Sequence, residues 1–260
     1  MAVRVPNPYA ESAMLPLFLN RDSSDTNRML VRPEQMLPVK HTLQPTVTGT
    51  SVLGFTFADG VMLAADTLGS YGSLAKLRSL CRYKEVTDKC VVVASGDYAD
   101  FQYIERNLDF LTVKSNALSD GHHYTPNSIY SYLTRVMYAR RTKINPIWNK
   151  LIVGGYEDRT PFLGYVDERG IAYESPTLAT GFGLHMSQPL LRDAYEKNPA
   201  LSEAEALSLI ERCLKVLYYR DCRAHDKYDV VSITDAGVKK YGPLTLEGNW
   251  QIADYVVGYD

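Results

Sequence analysis

Hydrophobic and polar positions along the chain fall into blocks with two different periods. Ser51-Val52-Leu53-Gly54-Phe55-Thr56-Phe57 is rich in β-branched and aromatic residues, and Val61-Met62-Leu63-Ala64-Ala65 follows it. Asp59-Gly60 lies between the two runs, and an Asp-Gly pair in that setting is the strongest short-range hairpin signal. Tyr83 to Val86 and Val91 to Ser95 predict a second strand pair, turning at Asp88-Lys89. From Asp97 the period becomes three and four, placing Phe101, Ile104, Leu108 and Leu111 on one helical face. A second helix opens with Thr125 as N-cap and Pro126 at the first helical position, where a missing N–H costs nothing. Ile129, Tyr132, Leu133, Val136 and Met137 form its apolar stripe.

Strands return at Leu151-Ile152-Val153 and Phe162 to Val166, and Asp167 to Gly170 turns into Ile171-Ala172-Tyr173. A third helix is predicted around Met186 to Tyr195. The fourth opens with Ser202 and Glu205, spaced as a capping box, and repeats Leu207, Ile210, Leu214 and Leu217 at helical spacing. Tyr228 to Ile233 and Val238 to Tyr241 close the pattern around Asp235-Ala236-Gly237. The order is strands, two helices, strands, two helices, strands. It lacks the βαβ alternation of a parallel sheet and predicts antiparallel sheets covered by helical layers.

The two ends depart from this pattern. Residues 1–41 carry five prolines and the polar run Arg21 to Arg28, with no sustained period. They read as a leader, and both a disordered arm and a propeptide fit that composition. The tail, Trp250 to Asp260, holds Trp250, Ile252, Ala253, Tyr255, Val256 and Val257 beyond the last predicted strand. Apolar content of that kind in a terminal segment implies docking.

Composition narrows the function. At 260 residues and 45% hydrophobic, the chain buries a sizeable core and is not disordered as a whole. Its 28 Lys+Arg against 30 Asp+Glu give a formal charge of −2, so no global field attracts nucleic acid or anionic lipid. Arg140, Arg141 and Lys143, the densest basic cluster, read as the solvated end of a helix. No run approaches the roughly 18 apolar residues of a membrane span, and Met14 to Leu19 is too short for a secretory signal. Cys81, Cys90, Cys213 and Cys222 form no C-x-x-C pair and no ligand spacing with histidine, so free thiols are expected and no metal or other cofactor. His122-His123 are expected on a solvated loop. Leu68 to Leu74 is expected to be a tight turn presenting Tyr71 to a neighbour, since no Lys-Ser/Thr pair follows to make a phosphate cradle. Tyrosine outnumbers phenylalanine 19 to 7, which suits subunit interfaces and equally suits strand ends and helix flanks.

Several short motifs occur in an order that points to a family. Gly49-Thr50 precedes a strand, a hairpin and Ala64-Ala65-Asp66; Ser95-Gly96-Asp97 precedes the first helix; Gly154-Gly155-Tyr156 follows a strand; Tyr219-Arg220-Asp221 ends the fourth helix. From about Thr42 to the C-terminus the chain resembles proteasome β-type subunits, which are N-terminal nucleophile hydrolases. Thr48 to Val52, Leu68 to Leu74 and Asn145 to Asn149 narrow the resemblance to one non-catalytic type among them. The resemblance implies an α+β, four-layer αββα sandwich, two antiparallel sheets between helical layers. It implies a single β-type domain over 42–260, with residues 1–41 a removed propeptide. It also implies partners: β subunits of the same ring, α-ring subunits, and the opposite β ring through Trp250, Ile252, Tyr255 and Val256. The expected setting is the cytoplasm and nucleus, in the particle that carries out ATP- and ubiquitin-dependent protein degradation.

An active member of that family attacks with a threonine hydroxyl, using the threonine's own α-amine as base once the preceding peptide bond is cut. A lysine tunes the nucleophile, an aspartate holds the lysine, and a backbone N–H serves the oxyanion. Carried over by position, Thr50 takes the nucleophile's place after Gly49, and Asp66, sixteen residues on, matches the lysine-holding aspartate. The lysine position, thirty-two residues after Thr50, holds Arg82, whose guanidinium stays protonated and shuttles no proton. Gly181-Phe182-Gly183 stands where the family has a Gly-Ser-Gly turn, and Phe182 is expected to add bulk there. Asp221 is kept, but its serine partner is Ala224. In the subunit type resembled, processing falls eight residues before the nucleophile position, here between His41 and Thr42. Thr50 would then lie inside a peptide bond with no free amine. The expectation is a catalytically silent subunit; the alternative is an active threonine endopeptidase with Thr50 exposed, and a standalone amide hydrolase of the same fold is a third class.

Overall fold

The computed structural model describes residues 44–118, 121, 123–251 and 255. The leader 1–41, the His41–Thr42 junction, Ile252 and Val256 lie outside them. In chain order the strands are β1 (Thr48–Gly49), β2 (Val52–Phe57), β3 (Gly60–Asp66), β4 (Gly69–Tyr71), β5 (Leu74–Leu77), β6 (Tyr83–Thr87) and β7 (Cys90–Asp97). Helices α1 (Tyr98–Leu118) and α2 (Pro126–Thr142) follow, then β8 (Asn149–Glu157), β9 (Thr160–Val166), β10 (Ala172–Glu174) and β11 (Thr177–Ala179). Helices α3 (Gly183–Met186), α4 (Gln188–Lys197) and α5 (Glu203–Arg220) lead to β12 (Lys227–Thr234) and β13 (Gly237–Thr245).

The strands form two antiparallel sheets. Eight make one, in the order β10-β9-β8-β7-β1-β4-β5 with β6 also paired to β7; five make the other, in the order β11-β2-β3-β12-β13. Side chains on a strand alternate between faces, and here both faces of the central strands are covered. Cys90, Val92 and Ala94 of β7, with Leu151 and Val153 of β8, pack under α1 and α2. Val91, Val93 and Ile152 point the other way, against Val52, Val61 and Leu63 of the second sheet. That sheet turns Leu53, Phe55, Met62 and Val230 outward under α5, which buries Ala206, Ile210, Cys213, Leu214 and Leu217. The layers are helices, sheet, sheet, helices, so the α+β sandwich that the family resemblance implies is the observed fold.

The helix starts follow their caps. The Thr125 side chain accepts from Ser128 N, with Pro126 behind it, and the Ser202–Glu205 capping box is complete. Four segments differ from expectation. Leu68 to Leu74 is not a tight turn: β4 and β5 form a hairpin around Gly72, whose φ of +58° suits glycine. Its alternation is too short, three and four residues, to register as strands in sequence. The helix expected at Met186–Tyr195 divides into α3 and α4, because Pro189 restarts the helix after Ser187. The strands β1 and β11 hold two and three residues and form through tertiary pairing alone.

Gly96 sets the junction between β7 and the site. Its φ is +97°, and a Cβ there would lie 2.1 Å from the Trp148 carbonyl oxygen. Gly96→Ala is therefore expected to lower the free energy of unfolding by at least about 2 kcal/mol, measured by urea denaturation of the full chain.

Candidate functional site

The site lies where the chain crosses from one sheet to the other. β1 belongs to the eight-stranded sheet and β2 to the five-stranded one, so Thr50 and Ser51 form the crossing. β1 is held on both sides: Thr48 pairs with Ser70 of β4, and Thr48 and Gly49 pair with Asp97 and Gly96 of β7. The residues before it are tied as well. Tyr98 N donates to the Val47 carbonyl at 2.8 Å, and Thr46 N donates to Asp97 Oδ1 at 2.8 Å.

Arg82, 2% exposed, reaches into this crossing from the segment between β5 and β6. Its Nη2 donates to the carbonyls of Thr50 and Ser51, each at 2.8 Å, and its Nε donates to the Ala94 carbonyl of β7 at 3.3 Å. Its Nη1 pairs with Asp66, at the end of β3 and 5% exposed. The second Asp66 oxygen accepts from His225 N at 3.0 Å. Burial pushes the Asp66 carboxyl up to about 6, opposed first by the Arg82 guanidinium and then by the His225 amide. Burial also draws Arg82 downward, with Asp66 and Asp221 opposing, but a guanidinium starts so high that it stays protonated. A carboxylate and a guanidinium thus sit together as an ion pair at neutral pH.

Thr50 Oγ donates to Asp221 Oδ2 at 2.5 Å, while Asp221 Oδ1 accepts from Arg223 N at 2.9 Å. The hydroxyl proton is thus directed into a carboxylate, and a carboxylate is a poor base for an alkyl hydroxyl. Ala224 N donates to the Asp221 carbonyl at 3.0 Å, and its methyl offers the threonine no hydrogen bond. Thr50, Asp66, Arg82, Asp221 and Ala224 therefore come together. Phe182 does not join them as bulk: its ring is 55% exposed and lies outside the cavity at Thr50, although Gly181 lines that cavity. The turn points Phe182 away because Gly183 N donates to Ser51 Oγ at 2.9 Å, holding the backbone against β2.

Sequence reasoning missed several members of this network. Gly49 has an ordinary φ, yet a Cβ there would stand 2.7 Å from Arg82 Nε, so the arginine packs where a side chain would be. Thr180 Oγ accepts from Val52 N at 2.9 Å, and Asn149 Nδ2 donates to the Ser95 and Asp97 carbonyls at 3.1 and 2.8 Å. Only the Gly49–Arg82 relation had a signal, a glycine beside a position where arginine replaces a smaller cation; the others depend on contacts distant in sequence.

A cavity of about 310 Å³ opens beside Thr50, lined by Pro45, Trp148, Lys150, Glu168 and Gly181 among others. A larger one, about 530 Å³, shares no lining residue with it and lies at the opposite end of β7, beside Lys89, Thr125 and Tyr156. Among the described residues no group of three His, Cys, Asp or Glu side chains is placed to hold a metal, and no helix is long and apolar enough to cross a membrane. His123 is exposed, Cys213 is buried in the stripe of α5, and Cys222 is exposed. In the tail, Trp250 packs edge-on against Tyr219 and Tyr218 of α5, with centroids 5.0 and 5.8 Å apart, while Tyr255 is 82% exposed.

Two antiparallel sheets between helical layers, with a threonine, a buried aspartate and a cation where the chain crosses between sheets, define the N-terminal nucleophile hydrolase fold. The family model described as "Proteasome subunit" matches residues 46–233. The chain is 51% identical over 223 residues to proteasome subunit beta type-4 of Xenopus laevis, covering 86% of this chain and 92% of that one. It is 41% identical over 216 residues to proteasome subunit beta type-4 of Arabidopsis thaliana, covering 83% and 87%. Proteasome subunit beta type-7 of Saccharomyces cerevisiae is 41% identical over 232 residues, covering 85% and 87%. The chain belongs to the proteasome subunit family.

The buried ion pair generates a prediction. Arg82→Ala leaves Asp66 uncompensated in the interior and is expected to cost about 3–5 kcal/mol. Arg82→Met combined with Asp66→Leu is expected to cost much less than the sum of the two single changes. A double-mutant cycle by chemical denaturation checks both.

Proposed function

We propose that this chain is a structural, non-catalytic β-type subunit of the proteasome core, the role the relatives named beta type-4 suggest for it. The observation that carries the reading is the pairing of β1, the two residues that precede Thr50, with both β4 and β7. A threonine nucleophile of this family needs a free α-amine, and Thr50 N is an amide whose preceding residues are woven between β4 and β7. Releasing Thr50 by cutting after Gly49 would detach β1 from the residue it leads into. Processing between His41 and Thr42 instead leaves residues 42–49 in the mature chain, so that β1 keeps its place.

The charge arrangement supports the same reading. Four of the five N–H directions of Arg82 are engaged by three carbonyls and Asp66. A lysine would present one ammonium that could approach the threonine hydroxyl. The guanidinium instead binds carbonyl oxygens, which is a structural task. Thr50, Asp66 and Asp221 are then packing and hydrogen-bonding residues.

In this reading the subunit contributes surfaces: to its neighbours in the β ring, to the α ring, and to the opposite β ring through its tail. Trp250 packs on its own α5, and the contact across rings would draw on Tyr255 together with Ile252 and Val256, which lie outside the described residues. The particle would work in the cytoplasm and nucleus.

Intact mass and N-terminal sequencing of the subunit from native particles test this. The expected start is Thr42, and Thr50→Ala is expected to leave every peptidase activity of the assembled particle unchanged. A start at Thr50, with labelling of Thr50 by a threonine-directed electrophile, would establish the active endopeptidase instead.

A further inference from the structure

The cavity beside Thr50 has an unused acceptor in its wall and the chain's own entry into β1 at its rim. Pro45 and Glu168 both line it, with Trp148, Asn149 and Lys150 between them. Glu168 is half-buried on the turn after β9, and its carboxylate makes no hydrogen bond or ion pair among the described residues. The turn holds it in place. Asp167 Oδ1 accepts from Arg169 N at 2.9 Å and Ile171 N at 2.8 Å, and Gly170 N donates to the Asp167 carbonyl at 3.1 Å. Lys150 brings a cation to the same lining, yet no ion pair joins it to Glu168.

Two neutral groups in the same wall are also unused. Asn149 is 2% exposed; its Nδ2 is committed to the Ser95 and Asp97 carbonyls, while its Oδ1 is buried with no partner among the described residues. Trp148 Nε1 is likewise buried and unpartnered. Buried polar groups left open are costly and rare. A carboxylate, an amide oxygen and an indole N–H together suit a short stretch of polypeptide with a free amino end: an ammonium and amide donors for the two acceptors, a carbonyl for the indole.

The chain itself supplies one. Thr46 N is fixed on Asp97 Oδ1 at 2.8 Å, so the backbone is tethered one residue after Pro45 on the rim. Processing between His41 and Thr42 leaves three residues ahead of Pro45, a span of at most about 11 Å. The new amino end therefore stays beside the cavity, and a peptide from outside has to compete with a group that is already tethered there. We infer that the α-ammonium created at Thr42 folds back into this cavity and pairs with Glu168, while the backbone of residues 42–44 takes up Trp148 Nε1 and Asn149 Oδ1. The inference rests on the reading of this chain as a subunit cut before Thr42; Thr42 and Leu43 themselves lie outside the described residues. Before the cut the same nitrogen is a neutral amide with 41 residues attached, which offers Glu168 no charge. The pair forms only after processing, latching the segment that leads into β1 and closing the cavity beside Thr50 to other peptides.

The test uses particles assembled from the full-length chain, wild type or Glu168→Gln, with the N-terminal peptide of the mature subunit followed by mass spectrometry. An opposite charge in contact raises the pKa of an amine by about one unit or more. Labelling of the Thr42 amine by an amine-reactive ester near neutral pH is therefore expected to be about tenfold slower in wild type than in Glu168→Gln. A zero-length carbodiimide, which condenses a contacting amine and carboxylate with loss of water, is expected to join Thr42 to Glu168 in wild type. Equal labelling rates in the two particles overturn the inference, as does coupling of Glu168 to Lys150 in place of Thr42. If Glu168→Gln fails to assemble, the wild-type coupling decides alone, and absence of the Thr42–Glu168 product overturns the inference. A mature start other than Thr42 removes the segment and overturns the processing reading and the latch together, whereas a Thr42 start with an unprotected amine overturns the latch alone.

Discussion

A single guanidinium ties the two sheets together where the chain passes from β1 to β2. Arg82 contacts β7 through the Ala94 carbonyl, the crossing through the carbonyls of Thr50 and Ser51, and β3 through Asp66. Buried ion pairs of this kind seldom add much net stability, because desolvation offsets the Coulombic gain. What the pair supplies is geometry. A planar fork with fixed donor directions admits one arrangement of those carbonyls, and the hydrophobic layer between the sheets has no comparable directionality. The sheets could slide over Val52, Val61, Val91 and Ile152 at modest cost; they cannot slide past Arg82 without leaving a charge unpaired in the interior.

That constraint explains the glycine before the threonine. Gly49 is in an ordinary backbone conformation, so left-handed freedom is not what it provides. It provides space, since the guanidinium occupies the volume that a Cβ would need. The pairing of β1 with both β4 and β7 and the arginine packed over it are two views of one arrangement. With the groove between β4 and β7 filled by the chain's own backbone, an extended peptide has no free edge there to pair with.

The layers of the fold were legible in the sequence, and for a physical reason. Helices α1, α2 and α5 announce themselves through a three-and-four period and through Thr125 and Ser202 as caps, while β2, β3, β7 and β12 are long enough for residue type to override ambiguity. What escaped was short or cooperative. The strands β1 and β11 have no local preference of their own and exist through partners dozens of residues away. The β4–β5 hairpin hid because its strands are only three and four residues long and β5 is exposed throughout, leaving too little alternation to read. At the site, the meeting of Thr50, Asp66, Arg82 and Asp221 could be read through family resemblance. The direction of Phe182 could not, because it is decided by Gly183 bonding to Ser51, a contact across 132 residues.

On the non-catalytic reading proposed above, the position of Thr50 would explain how a site can keep its residues and exchange its task. A threonine hydroxyl, an aspartate and a neighbouring cation are the ingredients of a nucleophile only when a base is free to take the proton. Joined to Gly49 by an amide, directed at Asp221, and facing a guanidinium already engaged by carbonyls, the same hydroxyl becomes one more link between the end of α5 and the crossing. Restoring chemistry would require more than a lysine at position 82. The shorter side chain would release the Thr50 and Ser51 carbonyls, the amide would still withhold the amine, and Ala224 would still lack its hydroxyl. The substitutions support one another structurally, so each taken alone is disfavoured by the others. On that reading, the interlock leaves the chain's contribution to its outer surfaces rather than to the groove.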